Sequence, residues 1–291
     1  MNEQTGFFDE SNITAIMLGL SGAKKMVDID GFEKYLFDEE LSKNTRESYM
    51  FSIKSFAENF DTVSKSNIIL WKQDLLTGKS PKTVNLRLSA IGKYCKYKKL
   101  NIDFKRVKVQ KILSVEDVIT IDEYERLLDG LVKDNKIHFA IVVVLLAKTG
   151  ARISEVLHFK KRDLQKDHIE IKTKGKFRRI YFPDTLKQQI REWTAAMKDD
   201  DYLCRSGSGK PMTRNNVYDF LKSCSEKYDI PKSHLHPHAF RHMFAIEFLK
   251  RNNNISLLAD LLGHSGVNTT MIYLRMSQQE QKAEINKSVN W

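Results

Sequence analysis

In the first third of the chain apolar positions recur at the three- and four-residue spacing that gives a helix one buried stripe. Phe32, Tyr35 and Leu36 make one run, Tyr49, Ile53 and Phe56 a second, and Val84, Leu88 and Ile91 a third. Ser42 or Asn44 stands where an N-cap belongs, and Ser80-Pro81 reads as an N-cap followed by proline at the first helical position. Further on, Thr120 and Glu123 form a capping-box pair ahead of Leu127, Leu128 and Leu131. The stretch from Ile137 to Ala147 is apolar nearly all round, so it predicts a buried helix, ended by Thr149-Gly150. Ile169 and Ile171 alternate, Arg179 to Phe182 form a return strand, and Thr173-Lys174-Gly175-Lys176 supplies the turn of a hairpin. Pro237 suits the first position of a helix with Phe244, Ala245, Phe248 and Leu249 on its buried side. Ser256 is expected to cap a short helix that stops at Gly263, and Asn268 to cap one that carries Tyr273.

These elements predict a mainly α fold with one small β-hairpin, in two domains. Residues 1–27 form an N-terminal extension, 28–103 a helical domain, 104–113 a basic linker, and 114–291 an α+β domain ending in a C-terminal helix. At 291 residues there is chain enough for two cores.

Charge changes the picture more than length does. The formal net charge is +11, and residues 65–111 carry thirteen Lys or Arg against only Asp74 and Asp103. Lys82, Arg87, Lys93 and Lys96 decorate the helix that Pro81 opens. A charge run by itself is a solvated face, but one so poor in acids fits a surface that tracks phosphates. Cys95, Cys204 and Cys224 are too few and too scattered for a disulfide framework, which points to a reducing cytoplasm. The opening residues include Glu3, Asp9 and Glu10 rather than a basic run, and the apolar stretch at 13–20 is too short to span a bilayer, so neither export nor a membrane partner is expected.

Candidate chemistry concentrates in the second half. Arg152 and Glu155 lie three apart on a short helix, so the carboxylate can hold a guanidinium suited to gripping phosphate with two parallel hydrogen bonds. Taken alone, the pair is as well explained as a surface ion pair. A lysine at the hairpin tip can protonate a departing alkoxide, and Lys172, Lys174 and Lys176 all stand there. His238 and Arg241 sit one turn apart at a helix N-terminus, where free N–H groups already favour an anion. His234, His236, His238 and His242 invite a metal reading. Against it, no acidic residue lies between Asp229 and Glu247, and the His238/His242 pair lacks the glutamate of a zinc-protease motif. His264 follows the glycine stop, and Tyr273 comes nine residues later. A lone tyrosine between Ile272 and Leu274 would be a core aromatic; as a nucleophile it needs positive charge around its target, because a phenol ionises near pH 10. Ser208-Gly209-Lys210 is followed by Pro211 and lacks the earlier glycine, so no Walker motif is present.

Arg152 in Thr-Gly-Ala-Arg-Ile-Ser-Glu, Lys174 in a hairpin, His238-Ala-Phe-Arg241-His, Leu-Gly-His264 and Tyr273, in that order, resemble the tyrosine recombinases, also called the phage integrase family. The resemblance extends to the run from Leu41 to Tyr49, which looks like the opening of that family's core-binding domain, and so covers most of the chain. Phe240 departs from the pattern, standing where leucine is usual. The resemblance implies a two-domain, Xer-like site-specific recombinase that cleaves and rejoins double-stranded DNA through a 3′-phosphotyrosyl intermediate, with no metal, ATP or other cofactor. It assigns Tyr273 as nucleophile, Arg152 and Arg241 to the scissile phosphate, His238 and His264 to hydrogen bonding or proton movement, and Lys174 to the 5′-hydroxyl leaving group. It further implies a homo-tetramer joining two DNA sites in the cytoplasm, at the nucleoid, a C-terminal helix over 278–291 docking on a neighbour, and room for a second recombinase or a directionality factor. Residues 1–27 are short for the arm-site domain of larger integrases. Two alternatives share these residues: a type IB topoisomerase-like relaxing enzyme, and a non-catalytic DNA-binding protein of the same fold.

Overall fold

The computed structural model describes residues 27–109, 117–173, 176–264, 266–274 and 285–289. The chain divides into two compact units, Met1–Lys111 and Ile112–Trp291. Among the described residues no helix is long and apolar enough to cross a membrane.

The first unit is helical: α1 (Ile29–Asp38), α2 (Lys43–Ala57), α3 (Lys65–Gly78) and α4 (Pro81–Tyr97). Each starts at a side chain that accepts from a free backbone N–H, namely Asp28, Ser42, Ser64 and Ser80. Phe32, Ile53, Phe56, Trp71, Leu88 and Ile91 are fully buried between them. The chain then returns along α4. The Asn85 side chain pairs with both backbone groups of Val107, at 2.9 Å each, and Ile102 and Phe104 pack on the core. The basic run at 104–108 therefore begins as a strap bound to this unit, because Phe104 and Val107 within it are apolar and pack on the core.

Of the lysines and arginine expected to meet DNA, Lys82 and Lys96 are exposed on α4. Lys93 is paired with Glu39 at 2.6 Å. Arg87 is half-buried, its guanidinium 4.1 Å above the Phe51 ring and its Nη1 donating to Ser52 Oγ at 3.0 Å.

The second unit is built on α6 (Ile137–Thr149), which is buried on nearly every side and packs against α5 (Ile121–Lys133), α8 (Asp184–Ile190) and α10 (Pro237–Arg251). Between α6 and α8 come the short α7 (Ile153–Val156) and the antiparallel hairpin of β1 (His168–Thr173) and β2 (Lys176–Tyr181), in which Ile169 faces Ile180. The chain continues through α9 (Arg214–Lys227) into α10, α11 (Ile255–Leu262), α12 (Val267–Thr270) and a 3₁₀ turn at Met271–Leu274. The fold is thus mostly helical with a small two-stranded antiparallel sheet.

Two expected caps shift. Asn254, not Ser256, caps α11 by accepting from Leu257 N at 2.9 Å, because the helix starts at Ile255, two residues earlier than a cap at Ser256 would place it. Asn268 lies inside α12, which follows Gly266, and Tyr273 sits in the 3₁₀ turn rather than on a helix capped by Asn268. Of the C-terminal helix expected over 278–291 only 285–289 are described, with 285–288 helical; the rest lies outside the described residues.

Candidate active site

The C-terminus of α11 organises the pocket. Gly263 adopts a left-handed conformation (φ 62°), His264 N donates to Ala259 O at 3.0 Å and Gly263 N to Asp260 O at 3.0 Å, which is a Schellman cap. Such a cap uses two carbonyls and leaves the next three free, at the negative end of the helix dipole. Each of the three takes an arginine. Arg178 Nη1 donates to Leu261 O, Arg241 Nη2 to Leu262 O at 2.5 Å, and Arg152 Nη2 to Gly263 O at 3.3 Å. The helix end thereby gathers three like charges that would otherwise repel one another.

Each guanidinium has a second anchor. Arg241, only 1% exposed, donates from Nη1 to Gly150 O at 2.7 Å, the carbonyl freed where left-handed Gly150 (φ 60°) stops α6. Arg152 N-caps α7, where its Nη1 reaches Glu155 Oε1 at 3.2 Å and its backbone N–H reaches Oε2 at 2.6 Å. Arg178 Nη2 donates to Glu155 Oε2 as well. One carboxylate therefore holds two of the three guanidinium groups, and a surplus of positive charge remains. Burial, with the charges of Arg152 and Arg178, lowers the Arg241 pKa to about 10, so Arg241 still carries its charge at neutral pH. The buried Nε donors of Arg241 and Arg178 have no partner among the described residues, and a buried donor left unpaired costs stability unless an acceptor arrives.

Imidazoles line the same pocket. His264 Nε2 lies 3.2 Å from Arg241 Nη2, and its Nδ1 lies 2.7 Å from Thr270 Oγ1. Burial, then the charges of Arg241, Arg152 and Arg178, hold its pKa at about 4. His238 is also pushed down, by burial first and then by Arg241. The Tyr273 ring lies nearly parallel to His264, with centroids 6.5 Å apart, and its hydroxyl lies 2.8 Å from His242 Nδ1. Tyr273 is 7% exposed; burial raises its pKa while Arg241 opposes the rise.

The structure thus joins Arg152, Glu155, Arg241, His264 and Tyr273 through shared contacts, with His238 joined through His242, whose ring it meets edge-on at 4.3 Å. Lys174 lies outside the described residues. Lys172 extends over the Phe177 ring at 5.6 Å. The histidine cluster disperses: His234 faces Glu123 at 3.0 Å, and His236 caps α10 by accepting from Ala239 N at 3.1 Å. Among the described residues no three His, Cys, Asp or Glu side chains converge as a metal site.

Sequence reasoning missed three members of the site. The expected return strand starts at Arg179 and omits Arg178; β2 includes it, and the strand alternation that turns Ile180 inward turns Arg178 inward as well. Thr270 gave no signal. His242 was visible only as a metal candidate.

An α-rich chain of two units with one hairpin, and a pocket that gathers guanidinium, imidazole and phenol groups, defines a class of DNA strand-transferring tyrosine enzymes. The chain belongs to the phage integrase family of tyrosine recombinases: the family's catalytic region matches residues 117–280, and the phage integrase N-terminal SAM-like domain matches residues 29–101. It is similar to tyrosine recombinase XerA of Pyrococcus furiosus, 28% identical over 270 residues that span 89% of this chain and 93% of that protein. It is also similar to the probable integrase/recombinase YoeC of Bacillus subtilis, 31% identical over 180 residues, 60% of this chain and 94% of that protein. Among solved structures, XerH site-specific recombinase bound to difH substrate shares the fold with a TM-score of 0.66 at 19% identity, over 97% of this chain and 90% of that one. A lambda integrase dimer bound to a core site does so with a TM-score of 0.69 at 15% identity, over 83% and 95%.

Proposed function

We propose that the chain performs site-specific recombination with Tyr273 as nucleophile. Tyr273 Oη passes its proton to the histidine shell of His238 and His264, attacks the scissile phosphorus and stays joined to the 3′ phosphate, while the 5′ oxygen leaves with a proton from the hairpin lysine, Lys174. Exchanging one ester for another conserves the bond, so a 5′-hydroxyl from a partner strand reverses the step without ATP. Arg152 and Arg241 take the non-bridging oxygens, and His238 and His264 complete the hydrogen-bonded shell. Groups already fixed where charge grows need no reorganisation in the transition state.

One observation carries this reading. Three guanidinium groups sit on consecutive helix-end carbonyls, two of them sharing the Glu155 carboxylate, beside a phenol. That arrangement has a surplus of charge matched to a phosphodiester and a hydroxyl beside it. Family membership and relatives named as recombinases support double-stranded DNA as the partner. Four copies joining two sites, cytoplasmic and nucleoid-associated, follow on the same reading.

The test uses nicked duplexes from the gene's own neighbourhood, with adducts resolved on a denaturing gel. Wild-type protein should form a covalent complex that persists in EDTA, and Tyr273→Phe should form none while still retarding the duplex. Adducts from Tyr273→Phe would overturn the nucleophile, and chelator-sensitive cutting would overturn the metal-free mechanism. Exchange of ends between two duplexes separates recombination from simple relaxation.

A further inference from the structure

His242 belongs to none of the roles assigned so far, yet its Nδ1 lies 2.8 Å from the Tyr273 hydroxyl, with ring centroids 5.4 Å apart. The other three histidines of its cluster are engaged elsewhere: His234 with Glu123, His236 with the first turn of α10, and His238 against the edge of the His242 ring itself. Burial, then the charges of His238, His236, Arg241 and His264, hold the His242 pKa at about 3, so the ring is neutral and one nitrogen offers a lone pair. Of the two groups the phenol is the stronger acid, so the hydroxyl donates and Nδ1 accepts.

We propose that His242 is a positioning residue for the nucleophile, accepting the hydrogen bond of Tyr273 Oη and so registering that oxygen against α10. That helix also carries His238 and Arg241. Tyr273 itself sits in a 3₁₀ turn outside α10, and without this bond only the packing of its ring would fix the hydroxyl. With the proton turned toward His242, the oxygen's lone pairs are left free for an electrophile. The role is that of an acceptor: burial pushes the phenol up and the imidazole down, which disfavours passing the proton between them. The inference rests on the reading of Tyr273 as nucleophile.

The test pairs a spectroscopic readout with a kinetic one. Full-length protein labelled with 3-fluorotyrosine gives a fluorine resonance for Tyr273, assigned by its absence from Tyr273→Phe. His242→Phe removes the acceptor, and His242→Asn places an amide oxygen where Nδ1 stood. The Tyr273 resonance should move in His242→Phe and stay near its wild-type position in His242→Asn. Single-turnover adduct formation at saturating nicked DNA should fall about tenfold in His242→Phe, the worth of one hydrogen bond. It should return to within about twofold in His242→Asn, with the half-saturating DNA concentration unchanged in both. An unmoved resonance in His242→Phe, an unchanged rate, or a His242→Asn protein as slow as His242→Phe overturns the proposal. If the resonance behaves as expected but wild-type protein forms no adduct, the contact stands and the assignment of Tyr273 as nucleophile falls.

Discussion

Glu155 and Arg178 form a buried ion pair, the arginine side chain 5% exposed and the glutamate 9%. Two more donors from Arg152 share that carboxylate, so Glu155 fixes the position of β2 relative to α7 rather than steadying Arg152 alone. Removing one partner of a buried pair costs roughly 3–5 kcal/mol when the other charge is left uncompensated. Arg152 still compensates Glu155 in part, so Arg178→Met should lower unfolding stability by less than that and slow adduct formation. The double variant Arg178→Met, Glu155→Leu should recover most of the stability, since matched apolar groups replace a buried pair at little cost. It should not recover the rate. Urea denaturation and single-turnover cleavage, run as a double-mutant cycle, check both.

Gly263 has no room for a side chain. Its φ of 62° is one that other residues rarely adopt, and an added Cβ would stand 2.3 Å from Arg178 Cδ. Gly263→Ala should cost at least about 1–3 kcal/mol from the backbone alone. Because the same turn frees the carbonyls that hold Arg178, Arg241 and Arg152, adduct formation should fall much further than stability does. DNA affinity at low salt should change little if, as expected from the sequence, surface lysines carry it. Gel retardation alongside cleavage measures the split.

The sequence made the local parts of this molecule readable and left the convergent parts dark. Ser42, Ser80-Pro81 and the Thr120/Glu123 capping box sit where their short-range hydrogen bonds place them. The glycine stops at Gly150 and Gly263 were equally plain, since both need a left-handed backbone. Local signals failed where two candidates compete within a few residues: Asn254 displaces Ser256, and Tyr273 ends in a 3₁₀ turn. Arg178 could not be tied to Glu155 because nothing local links a strand residue to a carboxylate 23 positions earlier. The same holds for His242 and Tyr273, 31 positions apart. The resemblance supplied the ordered set of residues, but not the three carbonyls that explain how its arginines are held.

Asp28 ties the start of α1 to the end of α4. It accepts from Gly31 N at 3.0 Å and Tyr97 Oη at 2.7 Å and pairs with Lys98 at 2.5 Å. Hydrogen bonds from Lys98, Tyr97 and Gly31 lower its pKa from the ordinary 3.8 to about 2. A carboxylate depressed in the folded state stabilises fully above its unfolded pKa and loses that contribution as pH falls through the folded one. The melting-temperature difference between wild type and Asp28→Asn should thus be largest above pH 4 and shrink as pH drops toward 2. It should also narrow in high salt, because the pair is partly exposed. Thermal melts across that range decide it; a constant difference would mean that the ionised form contributes nothing.

His264 has its tautomer fixed by its neighbours. A guanidinium can only donate, so Arg241 Nη2 makes Nε2 the acceptor, and the ring proton lies on Nδ1, where it donates to Thr270 Oγ1. Without DNA the ring's one N–H is therefore spent on a buried threonine, and none is free for a phosphate. Thr270→Val removes that acceptor and should cost about 1–3 kcal/mol by leaving a donor unpaired. The charges of Arg241, Arg152 and Arg178 help hold the ring's pKa at about 4, and a bound phosphodiester would offset them. The pKa should then rise toward the ordinary 6.5 when Tyr273→Phe protein binds duplex, freeing Nε2 to carry a proton toward the phosphate. Imidazole nitrogen NMR should show the Nδ1–H tautomer from pH 8 down to about pH 5 in free protein, and a titration moved to higher pH in the complex. A pKa that does not move on binding would mean that His264 acts on the substrate only through Arg241.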